Sequence, residues 1–354
     1  MITQVRRALA TVFSLGIAAI FIGPEIAPAH AETDPIVAAG NLLGHATAPD
    51  GSTIVSADLL DDNRTIVMAV HSAAMDKDIT VIAKRPADPS APRPVLYLLN
   101  GAGGGEDTAT WKKNTDALEF LATKNVNVIQ VIGGAWSYYT DWRAPDPVLG
   151  VNKWKTFFTE ELPPLIDTAL GANGINAIAG LSTSGTSVLA LPIAKPGLYR
   201  AVAAYSGCAQ ISDPAGYNFV NLAVHEWGGG DTVNMYGPKG DPMWVENDPY
   251  VNANKLRGLE LFISSGTGLP GKHDTVDSPF VLSNLGALAN QVAVGGIIES
   301  ATDWCTHNMQ DRLETLDIPA TFNFPGAGTH SWGYWQDALH KSWSVLAKGL
   351  ELTD

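Results

Sequence analysis

The chain has 354 residues, of which 45% are hydrophobic and 16% charged, and its formal net charge is −14. The apolar share is enough for a large core. The acidity excludes nucleic acid, whose phosphates need lysine and arginine to neutralise them, and removes any polybasic attraction to anionic lipid.

The first segment is set apart from the rest. Arg6 and Arg7 precede an uncharged run from Ala8 to Ile22, and Ala29-His30-Ala31 follows. A basic start, a short apolar run and an A-x-A ending predict a cleaved signal peptide over 1–31; a membrane span needs about 20 apolar residues. The mature protein is then exported, secreted or held peripherally at the cell envelope. Its two cysteines, Cys208 and Cys305, both follow the cleavage point. In an oxidising compartment they are expected to form one disulfide.

Residues 32–50 are rich in Ala and Gly and predict an irregular N-terminal segment; 51–354 reads as one domain. Between Ser52 and Pro86, "STIVSADLL", "RTIVMAVHS" and "DITVIAKRP" alternate as antiparallel edge strands do. Continuous apolar strands then alternate with helices. "PVLYLLN" ends in a glycine turn, Gly101 to Gly105, and a helical stretch covers 114–124. "VNVIQVIGG" is followed by a helix over 153–170. "GINAIAG" enters Gly180-Leu181-Ser182-Thr183-Ser184-Gly185, and "LYRAVAAYSG" and "LELFISSGTG" are the next strands. A helix lies within 290–316, and "IPATFNF" leads to Gly328-Thr329-His330. This rhythm predicts an α/β fold: a mostly parallel central sheet with helices on both faces. The Gly-, Pro- and Trp-rich stretch 212–249 reads as an irregular insert walling a pocket.

Ligands of such sheets bind beyond the carboxyl ends of the strands, and three features fall there. Ser182 sits on a turn that is nearly G-x-S-x-G, with Ser184 where the last glycine is expected. A serine nucleophile needs a base, and the base needs an acid to hold it. His330, after the last strand, is in the right chain order to be the base. The glycine turn after "VLYLLN" suits an oxyanion loop, with the N–H of Ala102 and that of Thr183 as donors. It does not suit a phosphate, because Glu106 stands where G-x-G-x-x-G requires glycine and no Walker lysine follows. His225-Glu226 lacks the second histidine of a zinc helix, so no metal and no cofactor is expected. For the acid, Asp274 and Asp277 follow "LELFISSGTG" closely, and Glu299 starts a later helix.

Several longer stretches carry a specific resemblance: "VLYLLNGAGGGED", "GGAWSYYTDW", "KWKTFFTEELP", "AGLSTSG", "NMYGPKGDPMWVENDP" and "GTHSWGYW". From about Ser72 to Ala347 the sequence resembles the antigen 85 family of secreted mycolyltransferases and its relatives in other mycolic-acid-bearing bacteria. The resemblance implies an α/β-hydrolase fold and a triad of Ser182, Glu299 and His330, with Glu299 displacing Asp274. It implies transfer of a mycolyl group from trehalose monomycolate, through an acyl-enzyme, to a second trehalose monomycolate or to cell-wall arabinogalactan. Trehalose mycolates and cell-wall glycolipids are therefore the expected partners. Asn100, Trp142, Ser331 and Trp332 are the expected substrate-binding residues, and Phe219 to Trp227 would shelter the acyl chain. Two departures bear on the sugar: Asn100 replaces the family's aspartate after "YLL", and Gly103 replaces its arginine. A secreted carboxylesterase and a non-catalytic surface binding protein are the alternative readings.

Overall fold

The computed structural model describes residues 46–281 and 284–353. The expected signal peptide and the segment 32–45 lie outside them. The chain opens with β1 (Thr53–Leu59), β2 (Thr65–Ser72) and β3 (Lys77–Lys84), paired antiparallel as their alternating patterns predict. β4 (Val95–Leu99), β5 (Asn127–Ile132), β6 (Asn176–Leu181), β7 (Tyr199–Tyr205), β8 (Glu260–Ser264) and β9 (Thr321–Asn323) form the parallel part. One sheet results, in the order β1-β2-β3-β5-β4-β6-β7-β8-β9.

All five residues of β4 and all six of β6 are buried, because helices cover both faces. Alternate side chains divide between two cores. Val95, Tyr97 and Leu99 enter one, while Leu96 and Leu98 enter the other. The chain leaves β4 for β5 on one side and returns to β6 on the other. The crevice between the carboxyl ends of β4 and β6 is therefore the switch point at which such sheets bind ligands.

α1 (Trp111–Asn114) precedes the stretch expected to be helical, 114–124, and meets it only at Asn114, while α2 (Ala117–Leu121) falls inside it. α3 (Trp154–Thr156) runs through a π-turn, Phe157–Glu161, into α4 (Leu162–Leu170), where Pro163 and Pro164 remove two backbone donors. α5 (Thr183–Ala194) follows β6 directly.

The insert, expected to be irregular, is helical: α6 (Pro214–Asn221), a π-turn Leu222–Trp227, α7 (Thr232–Tyr236) and α8 (Pro242–Glu246). The reason is local. Asp213, Asp231 and Asp241 each accept a backbone N–H of the helix they precede, and Pro214 and Pro242 occupy first positions. Trp142, Val220, Val224, Met235 and Trp244 give the insert a small core of its own. α9 (Leu285–Asn290) continues through a π-turn, Gln291–Gly295, into α10 (Gly296–Thr315). α11 (Trp332–Gly349) packs Trp335, Leu339, Trp343 and Leu346 into the second core; the sequence reading did not single it out.

Candidate active site

The turn at Ser182 is made by contacts that only small residues permit. Ser182 has φ 57° and ψ −124°, and its N–H donates to Tyr205 O at 2.9 Å. That backbone conformation is strained for a side-chain-bearing residue, by about 1–3 kcal/mol. Ser184, at the position where glycine was expected, folds its hydroxyl back: Oγ donates to Leu181 O and accepts from Leu181 N, both at 2.9 Å. A Cβ at Gly180 would meet that Oγ at 2.5 Å. The close approach of helix to strand falls one residue later than the motif suggests. A Cβ at Gly185 would lie 2.7 Å from Tyr205 O and 3.0 Å from Gly207 Cα.

His330 follows β9, and its N–H donates to Gly295 O at 3.1 Å. Its Nε2 lies 2.8 Å from Ser182 Oγ and its Nδ1 lies 2.7 Å from Glu299 Oε2. The ring stands edge-on to Trp335, with centroids 4.9 Å apart. Glu299, in the first turn of α10, is 1% exposed. A buried carboxylate needs compensating donors. Oε1 receives three: Gly266 N at 2.6 Å, Ser206 Oγ at 2.7 Å and Ser265 Oγ at 3.1 Å. Oε2 is left to the histidine.

The glycine turn lies against this group. A Cβ at Gly101 would sit 3.6 Å from Ser182 Cβ. Among the described residues, neither the N–H of Ala102 nor that of Thr183 has a protein acceptor. A cavity of about 120 Å³ opens beside Ser182 and His330. Phe219, Leu222, Ala223 and Trp227 of the insert form one wall; Ile297, Ile298 and Ala301 of α10 form the other.

The residues expected to bind sugar are placed elsewhere. Asn100 is fully buried: its Oδ1 accepts from Trp111 N at 3.2 Å, and its Nδ2 reaches Val131 O at 3.5 Å. It ties the end of β4 to α1 and β5. Trp142 is 1% exposed, and its indole donates to Ser137 O at 3.0 Å beneath the insert. In this arrangement both side chains spend their polar atoms on backbone groups of the protein itself. Ser331 is buried at the start of α11, and Trp332 is half-buried, edge-on to Trp111 and Trp335. None of the four lines the cavity at Ser182.

Asp274 accepts from Thr329 Oγ1 at 2.6 Å, Gln291 Nε2 at 2.8 Å, Gly271 N at 2.8 Å and Tyr334 OH at 2.5 Å. It braces the residue before His330 rather than the imidazole itself. Asp277 is exposed. Ser206, Ser265 and Trp335 were not anticipated. The signal was present, since "YSG" and "SSG" end adjacent parallel strands at the edge where the acid must lie. Cys208, just after β7, is disulfide-bonded to Cys305 on α10.

Comparison with known proteins gives the chain a family and a fold. A family profile described as "Putative esterase" matches residues 72–344. The "Diacylglycerol acyltransferase/mycolyltransferase Ag85A" of Mycobacterium leprae (strain TN) is 32% identical over 287 residues, 77% of this chain and 79% of the relative. The protein of the same description denoted Ag85B, from Mycobacterium avium, is 32% identical over 280 residues, with the same coverage of 77% and 79%. The crystal structure of Mycobacterium tuberculosis MPT51 (FbpC1) shares the fold, with a TM-score of 0.66 at 24% identity over 83% of this chain and 98% of that one. The chain belongs to the esterase family with the α/β-hydrolase fold, among the antigen 85 mycolyltransferases and their relatives.

Proposed function

We propose that the protein is an exported serine acyltransferase that moves mycolyl groups from trehalose monomycolate to a sugar hydroxyl, either of a second trehalose monomycolate or of cell-wall arabinogalactan. The observation that carries the reading is the unbroken hydrogen-bonded path Glu299–His330–Ser182 at the base of an apolar cavity. His330 Nε2 takes the proton of Ser182 as Oγ attacks the ester carbonyl. The N–H groups of Ala102 and Thr183 receive the oxyanion. Collapse of the tetrahedral intermediate breaks the ester C–O bond, and His330 returns the proton to the leaving trehalose. An acceptor hydroxyl, deprotonated by the same nitrogen, then attacks the acyl-Ser182 carbonyl and frees the serine. Glu299 holds the imidazole with Nδ1 protonated throughout. The wall from Phe219 to Trp227 shelters the acyl chain. The disulfide and the expected signal peptide both suit a secreted or envelope location.

One observation favours a second reading, a secreted carboxylesterase. Asn100 is turned into the core, and Gly103 stands where the family has an arginine, so the acceptor side lacks two polar sugar contacts. Residues 32–354 incubated with labelled trehalose monomycolate separate the readings. Trehalose dimycolate formed by the wild type and absent with Ser182→Ala is the expected result. Free mycolic acid alone would replace transferase with esterase. Neither product from a folded protein would overturn both, in favour of a non-catalytic binding protein.

A further inference from the structure

No charged residue occurs between Ser278 and Ile298, although 16% of the chain is charged. Much of this stretch is nevertheless on the surface. α9 buries none of its residues, Leu285 is 68% exposed, Val294 43% and Ile297 74%. Along α10 the exposed row continues from Ile297 to Trp304, two turns on along the same face. Across the cavity the insert contributes Leu222 and Trp227, exposed by 39% and 48%.

A helix that meets water normally carries a charged face, and a contiguous exposed apolar surface marks a binding surface. Two features name the occupant. Ile297, Leu222 and Trp227 belong both to the rim and to the cavity lining, so the exposed surface runs without a break to Ser182. An ester of a long alkyl chain resides in a lipid layer, and a continuous apolar path spares that chain a passage through water. The second feature is charge. The rim helix has no lysine or arginine to meet an anionic headgroup, and the chain as a whole is at −14.

We propose that Leu285–Ile297 and the Leu222–Trp227 turn seat on a lipid surface whose headgroups carry no net charge, with the cavity opening into that surface. The contact is interfacial: no helix among the described residues is long and apolar enough to cross a membrane. Trp227 suits the boundary, with an apolar ring and one N–H for the headgroup zone. Its neighbour Glu226 keeps the turn from sinking further. The proposal rests on the site taking acyl esters of lipids, but docking is measured apart from chemistry.

The test uses residues 32–354, as wild type and as Ser182→Ala, sedimented with phosphatidylcholine vesicles and, separately, with vesicles rich in phosphatidylglycerol. Leu285→Asp and Val294→Asp are compared with them; neither residue lines the cavity. Equal binding of wild type and Ser182→Ala to phosphatidylcholine is expected, weaker binding to phosphatidylglycerol, and a loss of about tenfold in each Asp variant. Hydrolysis of a water-soluble short-chain ester and the circular dichroism spectrum should not change in the Asp variants. Leu285→Gln, a milder change, should lie between. Vesicle binding by an inactive wild type would uphold docking and remove the catalytic reading. No binding to phosphatidylcholine, or Asp variants that bind as the wild type does, overturns the proposal. So does a change in sedimenting mass from dimer to monomer without vesicles, which would assign the rim to a second copy of the chain.

Discussion

The indole nitrogen of Trp335 lies 3.0 Å from Ser206 Oγ, and the direction of that bond fixes the next one. An indole can only donate. Ser206 must therefore accept from Trp335 and aim its own proton at Glu299 Oε1, 2.7 Å away. Trp335 also stands edge-on to His330, so one side chain braces the imidazole directly and the acid through a serine. Trp335→Phe keeps a ring there and removes the N–H. We expect kcat to fall about 3–10-fold with KM unchanged, and Ser206→Ala to fall by a similar factor. The double variant should be no worse than the poorer single one, because the two act in series. Additive losses in kcat would show that they act separately.

Ser184 and Gly185 divide the task that the motif gives to one glycine. Ser184→Ala leaves the buried N–H of Leu181 without its partner and should destabilise by about 1–3 kcal/mol. Gly185→Ala drives a methyl into Tyr205 O and Gly207, and should be at least as harmful, about 1–3 kcal/mol or more, with loss of activity. Denaturant unfolding of both variants checks the ranking. A Gly185→Ala protein as stable and active as wild type would refute the close-approach account.

The Cys208–Cys305 disulfide closes a loop of 97 residues and holds α10 six residues beyond Glu299. Removing it as Cys208→Ser/Cys305→Ser should lower stability by about 2–4 kcal/mol. Reductant should reproduce the drop in melting temperature in the wild type and have no effect on the double variant.

Asp274 gives a pH signature. Burial alone would raise its pKa, but donors from Gln291, Thr329, Tyr334 and Gly271 outweigh it and hold the carboxyl below its ordinary value. A carboxyl lowered in the folded state stabilises fully above its unfolded pKa, ~3.9, and loses that contribution as pH falls through the folded value. Asp274→Asn should therefore be less stable at neutral pH by about 1–2 kcal/mol. The gap to wild type should hold down to the unfolded value and close below it. Thermal melts from pH 7 to pH 2 measure this, and a gap that widens in acid would contradict it.

The parallel strands and the Ser182 turn were legible because burial on both faces leaves uninterrupted apolar runs, and a nucleophile turn leaves small residues at fixed spacing. His330 was legible from chain order alone. Glu299 was not, since a carboxylate in the first turn of a helix looks the same whether it caps, solvates or aligns a histidine. Only the longer resemblance separated it from Asp274. Asn100 and Trp142 were ambiguous for a related reason: a polar or aromatic residue beyond a strand can face a ligand or the core, and the structure places both in the core. The helices of the insert were hidden by its glycine and proline content, although Asp213-Pro214 and Asp241-Pro242 start helices.

Ser182 and His330 are 148 residues apart in the chain, and Ser206 and Glu299 are 93 apart. The turn at Ser182 closes locally through Ser184, but the contacts that join Ser182 to His330 and Glu299 to Ser206 are all between distant parts of the chain. α11, the last helix, must also pack on the sheet before Trp335 can reach Ser206. Loop closures of this length come late in folding. Ester cleavage is then a stricter gauge of the native state than helix content. During refolding the helical signal should return first and activity last.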